Sequence, residues 1–189
     1  MPQIDRALPV PLDAMYTGPP ISMQSIDRGN PMALKVRRVI TGHKADGKAT
    51  VLIDEIATNV RDTRPGASAA VIWTSQGFPI DNDGSDDANA GAKGTYIDNG
   101  VVFRVISFAP GVTPRNHRTD STDFAVVISG EIDMPIDDEV VTLRAGDVLV
   151  QRGTIHNWVN NGTVPCVIAF TLVSAKSVTA GGKVLQAQG

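Results

Sequence analysis

The region between residues 95 and 175 is a succession of short apolar segments that glycine, proline, asparagine and aspartate interrupt at nearly regular intervals. Segments such as GVVFRVISFAPG, DFAVVISGEIDM and CVIAFTLVSA are rich in β-branched and aromatic residues, which is typical of strands. Helical periodicity is almost absent from the chain. Many short strands separated by turn residues favour an all-β barrel or sandwich.

The remaining regions divide the chain into three parts. Residues 34–73 contain three further strand patterns, VRRVITG, ATVLIDEIATNV and SAAVIWTS, and residues 80–94 form a polar surface loop. Residues 1–33 hold six prolines without regular periodicity, which indicates an extended arm. The sequence therefore predicts an N-terminal arm over 1–33, one β-barrel domain over 34–175 and a loose C-terminal tail over 176–189.

Composition narrows the classes of function. A chain of 189 residues with a formal net charge of −3 has no basic field that would favour nucleic acid. No apolar segment approaches the ~20 residues that cross a bilayer, and the first residues do not resemble a secretion signal. The lone Cys166 lies in an apolar strand pattern, where a buried, inert thiol is expected. A cytoplasmic protein that contacts neither nucleic acid nor membrane is predicted.

Two blocks bounded by glycines carry two of the three histidines in the chain. The first block contains, in order, Gly111, His117, Thr119, Asp123 and Gly130, with five, one, three and six residues between successive members. The second block contains Gly146, Asp147, Gly153, His156 and Asn160, with two residues between Gly153 and His156 and three between His156 and Asn160.

These blocks resemble the two motifs of the cupin superfamily, G-x5-H-x-H-x3-4-E-x6-G and G-x5-P-x-G-x2-H-x3-N, over about residues 103–173. The resemblance implies an RmlC-like jelly-roll β-barrel with one divalent metal inside. His117 matches the first histidine of the family pattern, Asp123 its glutamate and His156 its last histidine. The chain departs from the pattern where Thr119 replaces the second histidine and Gln151 replaces the proline. Its second motif is also one residue shorter.

Strand geometry leads to the same site without the family. Side chains alternate along a strand, so His117 and Thr119 lie on the same face of their strand, and His156 and Trp158 lie on the same face of theirs. Two imidazoles and the Asp123 carboxylate with open positions form a site suited to Fe(II) that also accepts Zn, Mn or Ni. We therefore predict a divalent metal bound by His117, Asp123 and His156, with both histidines in catalysis and Thr119 holding a metal-bound water.

Four residues are candidates for substrate binding, and most of them have a second interpretation. Trp158 is a pocket wall or, as the safer default, a core residue. Arg104 is a clamp for a substrate carboxylate or, as the sequence favours, an ordinary solvent-facing residue. Gln151 faces the cavity or its rim, and Thr119 lies beside the histidines. His43 lies on a turn and is expected to be solvated.

Three functions fit this pattern. The resemblance favours a metal-assisted enzyme of isomerase, lyase, hydrolase or dioxygenase type, acting on an organic acid or phenol-like metabolite. The alternative is a metal-free cupin that binds a small molecule without catalysis, and a storage protein is disfavoured by the single domain. Cupins usually pair, so we predict a homodimer in which part of residues 1–33 crosses onto the partner or seals its barrel.

Overall fold

The computed structural model describes residues 34–88 and 96–189. Every regular secondary-structure element in these ranges is a strand, which confirms the all-β prediction. None of the described residues forms a helix able to span a membrane. The expected arm, residues 1–33, lies outside the described residues. The strands are β1 (Arg37–His43), β2 (Ala49–Ile56), β3 (Arg61–Arg64), β4 (Ala67–Gln76), β5 (Gly100–Phe108), β6 (Ser121–Ser129), β7 (Glu131–Ile136), β8 (Glu139–Arg144), β9 (Val148–Arg152), β10 (Cys166–Ser174), β11 (Val178–Ala180) and β12 (Lys183–Leu185).

A six-stranded antiparallel sheet in the order β3-β4-β5-β10-β6-β9 forms the frame of the molecule. β10 lies between β5 and β6 and pairs with both, although β5 is far from it in sequence. Every second residue of β10 is buried, beginning with Cys166 and ending with Leu172. The period of two therefore directs one set of side chains into the barrel. Three two-stranded sheets, β1-β2, β7-β8 and β11-β12, complete the described fold.

The inward side chains form the main hydrophobic core. Three aromatic rings pack together there: Trp158 stacks on Phe108 at 5.7 Å between centroids and meets Phe170 edge-on at 5.5 Å. The core placement that the sequence favoured for Trp158 is therefore correct. Cys166 is fully buried in the same core, and burial raises the pKa of its thiol to about 11. Its thiolate is scarce at neutral pH, as expected for an inert cysteine.

A second, smaller apolar cluster covers part of the opposite face of the sheet. Outward residues of β4 and β5, among them Ile72 and Val105, are buried there. Leu34 and Val36, which precede β1, pack against this cluster together with Val60. The first described residues are therefore fixed to the outer face of the sheet rather than to the barrel interior.

Glycine divides a segment that the sequence analysis treated as one strand. DFAVVISGEIDM forms two strands, β6 and β7, which meet at Gly130. Gly130 has a φ of 78°, and a Cβ added there would lie 2.6 Å from the carbonyl oxygen of Pro165. Only glycine fits this close, left-handed turn. The turn carries the chain out of the six-stranded sheet into the β7-β8 hairpin.

The last residues are more ordered than the loose tail predicted for 176–189. β11 and β12 form an antiparallel hairpin, and the backbone of Gln188 then pairs with that of Arg118. The two Arg118–Gln188 backbone hydrogen bonds measure 2.9 and 3.0 Å. The sequence TAGGKVLQAQG did not predict this pairing, because few of its residues are paired and its partner, Arg118, is distant in sequence. The segment lies beside His117 and becomes part of the site.

Candidate functional site

The structure brings His117 and His156 together inside the barrel. The sequence analysis expected strands around both residues, but each lies in an irregular segment and they form an isolated antiparallel bridge. Their backbones exchange two hydrogen bonds of 2.9 and 3.0 Å. Their ring centroids are 4.0 Å apart, and only 9% of His117 and 4% of His156 is exposed. The two imidazoles thus share one buried location.

Backbone carbonyls orient both rings. Nδ1 of His117 lies 3.1 Å from the carbonyl oxygen of Arg115, and Nδ1 of His156 lies 3.0 Å from that of Thr154. Since a carbonyl oxygen only accepts, each Nδ1 carries the proton and donates it. Each Nε2 is then an unprotonated lone-pair donor. This is the arrangement in which histidines bind metals.

The barrel keeps both imidazoles neutral. Burial, together with the neighbouring His117, lowers the pKa of His156 to about 4. Burial also lowers the pKa of His117, while its hydrogen bond to the Arg115 carbonyl opposes the shift. Both rings therefore remain uncharged at neutral pH, which is the form that binds a metal or accepts a proton.

Asp123 lies on the inward face of β6, followed two residues later by Ala125. Its carboxylate accepts a 2.5 Å hydrogen bond from the Ser121 hydroxyl, which also lies 2.8 Å from the hydroxyl of Thr119. Burial raises the pKa of Asp123, whereas the Ser121 hydrogen bond and the charge of Arg104 lower it. A continuous polar chain thus runs from Thr119 to a buried carboxylate.

The donor atoms of the two histidines are suited to a divalent metal. They are neutral, they are oriented by carbonyls, and no hydrogen bond in the described structure engages either Nε2. Asp123 is turned to Ser121, and residues 34–88 and 96–189 hold no group of three or more His, Cys, Asp or Glu side chains arranged for a metal. The ligand set of His117, Asp123 and His156 therefore stays a prediction.

Arg104 faces the barrel interior, so the solvent-facing interpretation favoured from sequence is wrong. Its guanidinium carbon lies 5.9 Å from the centroid of the Phe170 ring, its neighbour across β5 and β10. The sequence misled because FRVISF does not reveal which face of β5 is inward. Phe103, the next residue, is instead on the outer face and partly exposed.

Gln151 points inward beside Asp123, its register partner across β6 and β9. It is buried, and its Nε2 makes long contacts of 3.6 Å to Sδ of Met134 and 3.5 Å to Oγ1 of Thr154. Its Oε1 is buried without a hydrogen-bond partner. Gln151 is therefore buried in the barrel interior rather than placed at its rim, although it does not line the cavity beside His117.

Two arginines that the sequence analysis did not single out also surround the histidines. The positive charges of Arg64 and Arg115 both lower the pKa of His117, and Arg115 acts on His156 as well. Arg115 lies two residues before His117 in the same irregular segment, so its closeness in sequence was the one signal that could have indicated it. Arg64 comes from β3, whose proximity only the fold reveals.

A cavity of about 380 Å³ opens beside His117 and Thr119. Gln188 and Gly189 form part of its wall, and Nη2 of Arg115 donates a 2.5 Å hydrogen bond to the Gly189 carbonyl. Another cavity, of about 420 Å³, lies along β3 and β4 and lacks a histidine. We assign the candidate site to the first cavity because it contains His117.

Comparison with known proteins identifies the family. A model of the cupin domain matches residues 104–173. The chain resembles the solved RmlC-like cupin of Shewanella frigidimarina, with a TM-score of 0.43 and 17% identity over 62% of this chain and 85% of that one. It is 35% identical to a cupin-domain-containing oxidoreductase of Aspergillus ruber, over 80% of this chain and 79% of the relative. A similarly named oxidoreductase of Hypocrea virens is 35% identical over 75% of this chain and 77% of its own length. The chain belongs to the cupin family, as the two histidine-bearing blocks predicted.

Proposed function

We propose that this cupin is a small-molecule enzyme whose substrate enters the barrel and reacts beside His117 and His156. One observation carries the proposal: two buried, neutral imidazoles lie with their centroids 4.0 Å apart, beside a cavity of about 380 Å³. Among the reaction types open from sequence, oxidoreductase chemistry of the dioxygenase type is favoured because relatives in two fungi are named oxidoreductases. The substrate class stays an organic acid or a phenol-like metabolite.

The residues that would hold a divalent metal are His117, His156 and Asp123. When bound, such a metal supplies Lewis-acid or redox chemistry. The Arg115 and Thr154 carbonyls hold the two rings in one tautomer, so that neither Nε2 must lose a proton first. Trp158, itself buried, packs edge-on against His156 at 5.7 Å and covers one side of that ring. The barrel therefore presents an oriented, dry pair of donors.

Elemental analysis of the full chain tests the metal site. Purified protein is incubated with Fe(II), Zn(II), Mn(II) or Ni(II), desalted and analysed, and we expect about one equivalent of one metal. His156→Ala should lose it while its thermal unfolding stays cooperative. The matched control is His43→Ala, which removes the exposed histidine at the end of β1. Equal metal content in His156→Ala and the native chain would exclude this site.

The alternative is a metal-free cupin that binds a small molecule without catalysis. The observation in its favour is that Asp123 is engaged by Ser121 and that no three-ligand group exists among the described residues. Absence of metal uptake by the native chain, combined with ligand binding that survives His156→Ala, would favour this alternative.

We also propose that the chain is a cytoplasmic homodimer. Cys166 is a buried free thiol, which suits a reducing compartment. The outer face of β6 and β9 carries an exposed apolar patch. The strand register places Phe124 opposite Val150 and Val126 opposite Val148, so that the four side chains are contiguous. Exposed contiguous apolar surface of this kind marks protein interfaces. Light scattering at micromolar concentration should give twice the chain mass, and a monomer would contradict the proposal.

A further inference from the structure

We propose that Arg104 is an anion-binding residue of the barrel and that it selects small molecules carrying a carboxylate. The inference deepens the proposed function and rests on it in one respect, namely that the barrel interior receives a small molecule. It does not depend on whether a metal is bound or which reaction follows.

The placement of Arg104 is the first argument. It lies on the inward face of β5, where its strand neighbours are Val71 of β4 and Phe170 of β10. The Phe170 ring centroid lies 5.9 Å from the guanidinium carbon, within the range of a cation–π contact. Aromatic support of this kind fixes the plane of a guanidinium and leaves its nitrogen edge available. On this inward face, the Nε of Arg104 is buried.

The lack of an internal partner is the second argument. Nε of Arg104 is buried without a hydrogen bond, and within residues 34–88 and 96–189 the side chain forms no hydrogen bond or ion pair. Leaving a buried charged donor unsatisfied is energetically costly. The nearest candidate, Asp123, accepts its hydrogen bond from Ser121 instead. An external acceptor would satisfy the guanidinium.

The local charge is the third argument. Three guanidinium groups, those of Arg64, Arg104 and Arg115, lower the pKa of His117. Among the described residues, Asp123 is the one carboxylate whose charge raises the pKa of Arg104. The interior is therefore positive, although the whole chain carries a net charge of −3. Burial lowers the pKa of Arg104 to about 10, so the residue is still protonated at neutral pH.

The other two arginines are already engaged. Nε of Arg64 donates a 2.8 Å hydrogen bond to the Thr113 carbonyl, and its guanidinium lies 5.6 Å from the centroid of the Phe108 ring. Nη2 of Arg115 donates to the Gly189 carbonyl. Nη2 of Arg64 is also buried without a partner, but Arg64 lines the other cavity. Of these three arginines, Arg104 is the one that donates no hydrogen bond within the described residues.

The chemistry of these donors specifies the ligand. A planar guanidinium edge matches the two oxygens of a carboxylate and pairs with them through two parallel hydrogen bonds. Gln151 adds a buried Oε1 without a partner, which would accept a hydrogen bond from a hydroxyl or amide of the same ligand. The ligand class is therefore a small carboxylic acid, and a second hydrogen-bond donor on it would satisfy Gln151.

The test compares benzoate with benzamide, which has nearly the same shape but no charge. Binding to the full-length protein is measured by calorimetry, both as purified and after chelator treatment, so that a metal cannot account for the preference. We expect benzoate to bind about tenfold more tightly, the preference that one charge-assisted pair supplies. Arg104→Gln should abolish the preference, whereas Arg152→Gln, an exposed arginine on β9, should retain it.

Two results would overturn the inference: equal affinity for the two probes in the native chain, or a benzoate preference that persists in Arg104→Gln. If Arg104→Gln fails to fold, Arg104→Lys decides. It keeps the charge but loses the planar pair of donors, so the preference should fall about threefold or more. An unchanged preference in that variant contradicts the assignment. Metal uptake by Arg104→Gln should equal that of the native chain, which separates this test from that of the histidine site.

Discussion

The two faces of β6 differ in chemistry although their residues alternate along one strand. The inward residues are all buried: Ser121, Asp123, Ala125 and Val127. The outward residues Phe124, Val126 and Ile128 are apolar, and about half of each side chain is exposed. The usual pattern of an antiparallel sheet, apolar inside and polar outside, is thus partly reversed here.

The difference shows how one strand serves two roles. The inward face is polar at its first residues, next to His117, and apolar at its last ones, in the main core. The site that we propose therefore lies at one end of the inward face, and the apolar core lies at the other. The outward face continues across β9 to Val148, 75% of which is exposed, and is the surface we propose for dimerisation. Substitutions at adjacent positions of β6 should consequently have very different effects.

The largest contrast is expected between Val127→Asp and Val126→Asp. Val127 is 3% exposed, and a carboxylate without a partner in the core should cost about 3–5 kcal/mol of unfolding free energy, enough to prevent folding in many domains. Val126→Asp should keep the native circular dichroism spectrum and convert the dimer to a monomer in light scattering. Equal stability of the two variants would refute the assignment of the two faces.

A similar contrast concerns two phenylalanines that face opposite sides of the sheet. Phe170 contacts Trp158 in the core, so Phe170→Ala should lower the unfolding free energy by about 3–5 kcal/mol. Phe124 is 50% exposed, and Phe124→Ala should cost about 1 kcal/mol or less in the monomer. Urea denaturation of both variants at low protein concentration measures the difference. A larger loss for Phe124→Ala would mean that the patch is buried against a partner even under those conditions.

Most of the barrel could be predicted from the sequence because its strands follow local rules. The apolar segments bounded by turn residues correspond to β1, β2, β4, β5 and β10, and one further segment covers both β6 and β7. The two motifs identified the family. The histidine pair was found because the motifs predict it. Its irregular backbone was not, since single bridges lack the periodicity that marks a strand.

What the sequence could not provide depends on contacts between distant segments. The orientation of Arg104 follows from the register of β5 with β10, and a one-residue change of register would reverse it. The pairing of Gln188 with Arg118 joins the end of the chain to the site, and no local pattern announces it. The choice of Ser121 as the partner of Asp123 likewise requires side-chain positions.

The pH dependence of stability should separate His156 from the rest of the core. Its pKa falls from an ordinary value of about 6.5 to about 4 on folding. Between these values the unfolded chain binds a proton that the folded chain does not, so the free energy of unfolding falls on acidification. The contribution lost by pH 4 is at most about 3 kcal/mol. The free energy of unfolding is measured by urea denaturation from pH 7.5 to 4.5, with both proteins treated with a chelator. Its dependence on pH should be weaker in His156→Gln than in the native chain. Parallel curves would show that this histidine is not buried in the neutral form.

The smallest contrast is expected at the first two residues of β6, where the inward face is polar. Ser121→Ala removes the hydroxyl that donates to Asp123 and should lower the unfolding free energy by about 1–2 kcal/mol, because the buried carboxylate loses its donor. Thr122→Ala, on the outward face, should change it by about 0.5 kcal/mol or less. Without Ser121, the pKa of Asp123 should also rise, since the hydrogen bond is one of the two interactions that lower it. Carbon-detected NMR titration of the Asp123 carboxyl in both variants measures that shift. If Ser121→Ala leaves both stability and the titration unchanged, Asp123 has another partner, and a ligand position for its carboxylate becomes the stronger interpretation.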